Sequence, residues 1–384
     1  MQSAAKHLAS VVMSFDWPHN LSTRDAALCR TFIGINSPSK QRNQPVVITS
    51  LMHIPDDHIY QEAQLAPMTV AEINKLTARA RALPPSGDQT HVLVDDGEDP
   101  WVIAHENQLY YCTVDRLKQK ILVAKFSQLS KMATAELVQV WPGNEGTTPE
   151  FVEIWAPELQ LIDGKWYIYF ALYNAQSGAE RLFALEGISG HPQGSYEFQG
   201  QLQIPTDRWA IDGSVLQADD GQLYFIWSGW EGFTNTSQNI YIARMRDPWT
   251  IASDRACISR PEYDWEMHGY PHVNEGPQAL VRNGRVFIIY SASGSWTDDY
   301  CLGQLTYLGG DMLDPASWRK EPQPVFSKTD TIFGPGHASF VQIEGQDYII
   351  YHAARSSQAG WARQIRAKPF TWHEDGSPNF GEPL

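Results

Sequence analysis

Asp212-Gly-Ser-Val-Leu216 runs through the turn Asp219-Asp220-Gly221 into the strand Tyr224-Phe-Ile-Trp227, and the chain makes this passage five times. Its companions are Asp99-Pro-Trp-Val-Ile103 leading to Tyr110-Tyr111, Glu158-Leu-Gln-Leu161 leading to Trp166-Tyr-Ile-Tyr-Phe170, Glu275-Gly-Pro-Gln-Ala-Leu280 leading to Phe287-Ile-Ile-Tyr290, and His337-Ala-Ser-Phe340 leading to Tyr348-Ile-Ile-Tyr351. The anchors lie 59, 54, 63 and 62 residues apart, a period that means repeated all-β units. The expected architecture is an all-β, five-bladed β-propeller spanning residues 93–384. If each anchor opens the innermost strand of its blade, four carboxylates and one imidazole converge on one central cavity. The turn signals Asp163-Gly164, Asn283-Gly284 and Glu344-Gly345 fall where each anchor strand must reverse into the next, as a tight hairpin requires. Outer strands are expected at Arg181-Leu-Phe-Ala-Leu-Glu186 and Ile240-Tyr-Ile-Ala-Arg-Met245.

Composition narrows the function classes. A net charge of −15 argues against nucleic acid and anionic membranes, because binding phosphate draws on clustered Lys and Arg. There is no nucleotide-binding loop, and no apolar run of the length a membrane span needs. The 14 Trp suit both sugar stacking and packing between blades, and most are expected in the core. Cys29, Cys112, Cys257 and Cys301 are far apart, so they read as free thiols rather than a zinc ribbon or disulfide frame. Asn20-Leu-Ser22 and Asn235-Thr-Ser237 match the loose glycosylation pattern. No clear signal peptide is visible, which leaves a cytoplasmic protein or one secreted with an unrecognised leader.

Residues 1–92 lack the repeat and read as an N-terminal extension of unknown role, one that the propeller does not need in order to fold. Within it, Val70, Ile73, Leu76, Ala80 and Leu83 have helical spacing, Thr69 stands as N-cap with Glu72 three residues on, and Pro84-Pro85-Ser86-Gly87 ends the run.

Cleaving a glycosidic bond takes two carboxyl groups, one giving a proton to the leaving oxygen and one acting on water or on the anomeric carbon. A ring of acidic anchors supplies that geometry. Asp99-Pro-Trp-Val-Ile103, Trp155-Ala-Pro-Glu158, Trp209-Ala-Ile-Asp-Gly213, Asn274-Glu-Gly-Pro277 and Gly334-Pro-Gly-His337 resemble glycoside hydrolase family 43 across residues 93–384. The resemblance implies that Asp99 is the general base, Glu275 the general acid, and Asp212 the residue that orients the acid and tunes its pKa. The chemistry agrees with that assignment. An acid working near neutral pH must be kept protonated by burial or by a neighbouring negative charge.

Trp101, Trp155, Glu158, Trp230 and Arg366 are the candidate substrate contacts, with Glu158 given a structural or lining role because the family's acid and base lie elsewhere. His337 resembles the family's axial histidine, which implies a nearby calcium or sodium ion with its water shell; the chemistry itself needs no cofactor. Arg246-Asp-Pro-Trp249 repeats an anchor triplet but follows a strand, and reads as an outer-edge turn. Trp227-Ser-Gly-Trp230, Tyr290-Ser-Ala-Ser293, Tyr300-Cys-Leu-Gly303 and Phe370-Thr-Trp372 resemble the family's exo-acting α-L-arabinofuranosidases. The implied reaction is inverting release of terminal arabinofuranosyl residues from arabinan, arabino-oligosaccharides or arabinoxylan. The alternatives are a β-xylosidase, an endo-arabinanase or a non-catalytic sugar-binding propeller.

Overall fold

The computed structural model describes residues 68–85, 89–115, 117–143 and 150–384, all within the compact unit Asp57–Leu384. Asn20-Leu-Ser22, Cys29, most of the expected N-terminal extension and the Ser86-Gly87 end of the linker lie outside the described residues. The inner strands of the five blades are Trp101–His105, Phe151–Ile162, Ala210–Gln217, His272–Arg282 and Phe333–Ile343. Each pairs antiparallel with the next strand in sequence, and blades 1 and 2 go on as simple four-stranded meanders. Blades 3 and 4 are also joined by a short parallel pairing of Ser237 and Gln238 with His272 and Val273.

The hairpins after the inner strands explain their turn residues. Asp163-Gly164, Asn283-Gly284 and Glu344-Gly345 hold positive φ at both positions, the backbone of a type I′ turn whose twist matches that of the flanking strands. Blade 1 makes the same turn with Glu106 and Asn107, without a glycine to announce it. Arg246-Asp-Pro-Trp249 lies at the outer edge, where Asp247 pairs with Thr250 in a hairpin.

The strands are hydrophobic on both faces because each blade packs between two others. Five clusters fill the five gaps. Trp141, Trp166 and Phe170 lie between blades 1 and 2, Tyr169, Phe225 and Trp227 between 2 and 3, and Ile242, Ile288 and Tyr290 between 3 and 4. Phe287, Phe326 and Ile349 lie between 4 and 5, and Val102, Tyr111, Ile350 and Ile365 between 5 and 1. The last cluster closes the ring.

Closure is completed by backbone pairing. Blade 5 takes three strands from the end of the chain, and its outermost place is filled by Val92–Val94, which pairs antiparallel with Arg363–Trp372 through Val92↔Arg366 and Val94↔Ile365. The expected border between residues 92 and 93 falls inside this strand. Ahead of it, helix Val70–Arg81 carries the anticipated capping box, with Thr69 accepting from the Glu72 N–H and Glu72 accepting from that of Thr69. Its buried face is Ile73, Thr77 and Ala80.

Leu93 is half-buried against the cluster joining blades 5 and 1. Leu93→Asp should therefore lower unfolding stability by about 2 kcal/mol, read by thermal or urea denaturation. An unchanged midpoint would mean that this strand does not hold the ring closed.

Candidate active site

Four of the five inner strands are interrupted at the same place. Opposite the neighbouring strand, one extra residue is inserted between Trp155 and Glu158, Ile211 and Ser214, Glu275 and Gln278, and Gly336 and Ser339. At each interruption one residue is left-handed: Ala156, Asp212, Gly276 and His337, joined by Asp99 just ahead of the first blade's strand, all with φ between 43° and 53°. Such bulges re-aim side chains beside active sites, and a non-glycine residue held left-handed costs about 1–2 kcal/mol. The left-handed residues and those just before them provide Glu98, Asp99, Trp155, Ile211, Asp212, Glu275 and His337 to one cavity of about 530 Å³. At Gly276 the space is also tight, since a Cβ there would stand 3.2 Å from the His337 ring.

Asp99 sits in a basic cradle. His337 Nδ1 lies 3.2 Å and Arg363 Nη1 3.5 Å from its Oδ1, and its backbone N–H donates to His352 Nδ1 at 3.1 Å. Burial opposes ionisation of Asp99, but His337, His352 and Arg363 outweigh it and hold the carboxyl well below its usual range. Burial, helped by Arg363, pushes His352 down to about 4, and burial also lowers His337. Both imidazoles are therefore mainly neutral near pH 7, and Arg363 is the lasting positive charge. The Arg363 guanidinium is fixed by donation to Ser295 O at 3.2 Å. Glu98 pairs with Lys118 at 2.8 Å.

Glu275 is treated in the opposite way. Burial pushes its carboxyl up to about 7, against the hydrogen bond donated by Tyr300 Oη (2.8 Å to Oε1) and the charge of Arg363. Asp212 is raised as well, by burial and then by the charges of Glu275 and Asp99, although its Oδ2 accepts the Gly276 N–H at 2.8 Å. Two carboxyl groups coupled in this way titrate as a pair. Both are held toward their protonated forms while Asp99 is held ionised.

The cavity thus brings together Asp99, Asp212, Glu275, His337 and Trp155. It leaves out the other expected contacts. Glu158 stands two residues past the left-handed Ala156, so it occupies the next layer down the axis with Ser214 and Gln278. There it is 2% exposed, accepts hydrogen bonds from Gln160 and Gln278, and is pushed by burial up to about 8. Trp101, at the matching position of blade 1, donates its Nε1–H to Leu159 O and packs in the interblade core. Trp230 stacks on Trp209, with centroids 5.0 Å apart.

Arg366 is 1% exposed and donates to Leu384 O and Gln364 Oε1. It lies three residues beyond Arg363 on one strand, and residues an odd number apart face opposite ways; the cavity arginine is Arg363. Sequence reasoning missed Arg363, His352 and Tyr300. Only the presence of two arginines in one strand hinted at the first.

Two more groups line the cavity. Trp155 stacks on Tyr173 (6.5 Å, 28°), donates to Glu153 at 3.0 Å, and has the Lys118 ammonium 5.1 Å above its ring. Val70, Asn74, Thr77 and Arg81 of the N-terminal helix form another side. Among the described residues no group of three or more His, Cys, Asp or Glu side chains could hold a metal ion, so a cation beside His337 fits only if water completes its shell.

The arrangement suits hydrolysis, with one carboxylate ionised, a buried acid pair holding a proton, and an aromatic platform alongside. The chain is 34% identical over 337 residues to an extracellular exo-α-(1→5)-L-arabinofuranosidase of Streptomyces avermitilis, covering 84% of this chain and 68% of that protein. An enzyme of the same name from Streptomyces chartreusis is 35% identical over 282 residues, covering 71% and 85%. The crystal structure of an α-L-arabinofuranosidase from Lactobacillus brevis superposes with a TM-score of 0.70 at 34% identity, covering 77% of this chain and 98% of that one. The profile of glycosyl hydrolases family 43 matches residues 90–378, and the chain belongs to that family.

Proposed function

We propose that this glycoside hydrolase is an exo-acting α-L-arabinofuranosidase that removes terminal arabinofuranosyl residues from arabinan, arabino-oligosaccharides or arabinoxylan with inversion of configuration. The observation that carries the reading is the division of protonation states within one cavity, with Asp99 held ionised and Glu275 raised to about 7. The names of the two Streptomyces relatives supply the sugar and the exo mode. Their extracellular location suits a polymeric substrate.

Glu275 gives its proton to the glycosidic oxygen as the bond from that oxygen to the anomeric carbon breaks. Asp99 takes a proton from the water that attacks the opposite face. Asp212 holds the Gly276 N–H and through it the backbone beside the acid, while burial, with the charge of Asp99, disfavours loss of the Glu275 proton. Trp155 and Tyr173 offer a ring face to the sugar. A calcium or sodium ion with its water shell beside His337 belongs to the same proposal and takes part in no step. Arabinose release from linear arabinan, together with faster turnover of an aryl α-L-arabinofuranoside than of an aryl β-D-xyloside, tests the substrate reading; the reverse preference would overturn it.

Glu275→Gln should cut hydrolysis of arabinan by about 10²- to 10⁴-fold and cost far less on aryl glycosides whose leaving group needs no proton. Equal losses on both would remove Glu275 from the acid role.

The pH dependence follows from the two carboxyl groups. Asp99 is ionised well into the acid range, so kcat/KM of the free enzyme should hold there and fall as pH rises through about 7, where Glu275 loses its proton. The Tyr300 hydrogen bond stabilises the Glu275 carboxylate, so Tyr300→Phe should raise this pKa and move the alkaline limb to higher pH. A shift downward contradicts the assignment.

Inversion requires the β-anomer of arabinose to appear first in a proton NMR time course, before mutarotation, because a water must fit between acid and base. First appearance of the α-anomer would make Asp99 a nucleophile instead.

A further inference from the structure

The helix Val70–Arg81 lies ahead of the residues matched by the family profile, yet it has two working faces. One is a dock. Thr77 Oγ1 accepts the Trp361 N–H at 2.8 Å and donates to Ile73 O at 2.9 Å, while Ala80 packs on Ala359 and Ala362. Gly360 makes the approach possible, since a Cβ there would lie 2.8 Å from Thr77 Oγ1. Trp361, whose N–H is held, lines the cavity itself and lies two residues from Arg363.

The other face is a wall. Val70, Asn74, Thr77 and Arg81 follow one another at intervals of four, three and four residues, a single stripe along the helix, and all four border the cavity that holds Asp99 and Glu275. Twelve residues make a helix about 18 Å long, and its stripe forms a continuous part of the cavity wall. Val70 stays 63% exposed because its stripe looks into that space rather than into packed protein. Arg81 at the far end is tied to Asp96 at 3.1 Å.

We infer that this helix is the exo determinant of the enzyme: it shuts one end of the cavity, so that only the last sugar of a chain reaches the acid and base. The inference rests on the proposed arabinofuranosidase activity and deepens it, naming Asn74 and Arg81 as specificity-determining residues supplied from outside the five blades. Without the helix the cavity that holds Asp99 and Glu275 would lose the Val70, Asn74, Thr77 and Arg81 side of its lining, and a chain could then extend past the carboxyl groups in both directions. A wall across one end removes one of those directions.

Two variants of the full chain test this. Asn74→Ala combined with Arg81→Ala opens the wall, and arabinobiose and longer fragments should then appear among the first products of linear arabinan, where the parent enzyme releases arabinose. Asn74→Trp crowds it, and kcat/KM for arabinotriose relative to an aryl α-L-arabinofuranoside should change by about tenfold or more. If the double variant loses its cooperative unfolding transition, the Asn74→Trp ratio decides alone. Folded variants with the parent product pattern and the parent ratio overturn the inference while leaving the activity in place. A parent enzyme that releases no arabinose from arabinan overturns the activity itself, and the wall's role falls with it.

Discussion

The site depends on one backbone event made five times. At the mouth of each blade the inner strand, or the residue just ahead of it, turns left-handed, and in four blades an inserted residue shifts the register there. A regular strand would send alternate side chains into the gaps between blades, where Phe, Trp and Ile fill the space. The interruption lets two successive residues leave that alternation and point into the cavity. This is why Glu98 and Asp99, or Ile211 and Asp212, are neighbours in sequence and yet line the same cavity. Left-handed backbone at Asp212 and His337 is unfavourable, and the pairing on both sides of each bulge keeps it in place; at Asp99 the N–H bond to His352 does so.

From that placement the electrostatics follow. Asp212 and Glu275 are buried and Asp99 is partly so, so burial alone would raise every pKa, and neighbours decide which ones stay raised. Asp99 has Arg363 and two imidazoles within reach; among the described residues, Asp212 has a backbone N–H and other acids. Glu275 lies between these extremes, with one phenol hydrogen bond and a more distant guanidinium. The same chemical group is thereby given different protonation states within one small space, as acid and base catalysis at a single bond requires.

The ring is closed by elements distant in sequence. Val92–Val94 completes the blade made by the end of the chain, and Arg363 and His352 of that blade hold Asp99 of the first. Ring closure and the setting of the proposed catalytic base therefore share one seam. A helix that precedes the repeats docks on the same blade and borders the same cavity, so that an element with none of the repeat's pattern shapes what the repeats enclose.

The sequence alone determined the five-fold repeat, its hairpins, the capped helix at residues 70–81 and the three acidic side chains, because period, turn chemistry and capping are local and leave marks a few residues wide. It misjudged how far each residue lies from its bulge. Glu158 and Asp212 look alike as acidic strand openers, but one stands two residues past the left-handed position and the other on it, and a bulge leaves no fixed residue signature when Ala156, Gly276 and Asp99 all occupy it. Likewise Arg363 and Arg366 are equivalent as letters, and strand parity separates them only once one face is known to meet the cavity. Which charges surround Asp99, which residues wall the site, and how the last blade is completed were decided by the tertiary structure, since each depends on contacts between residues more than 200 positions apart.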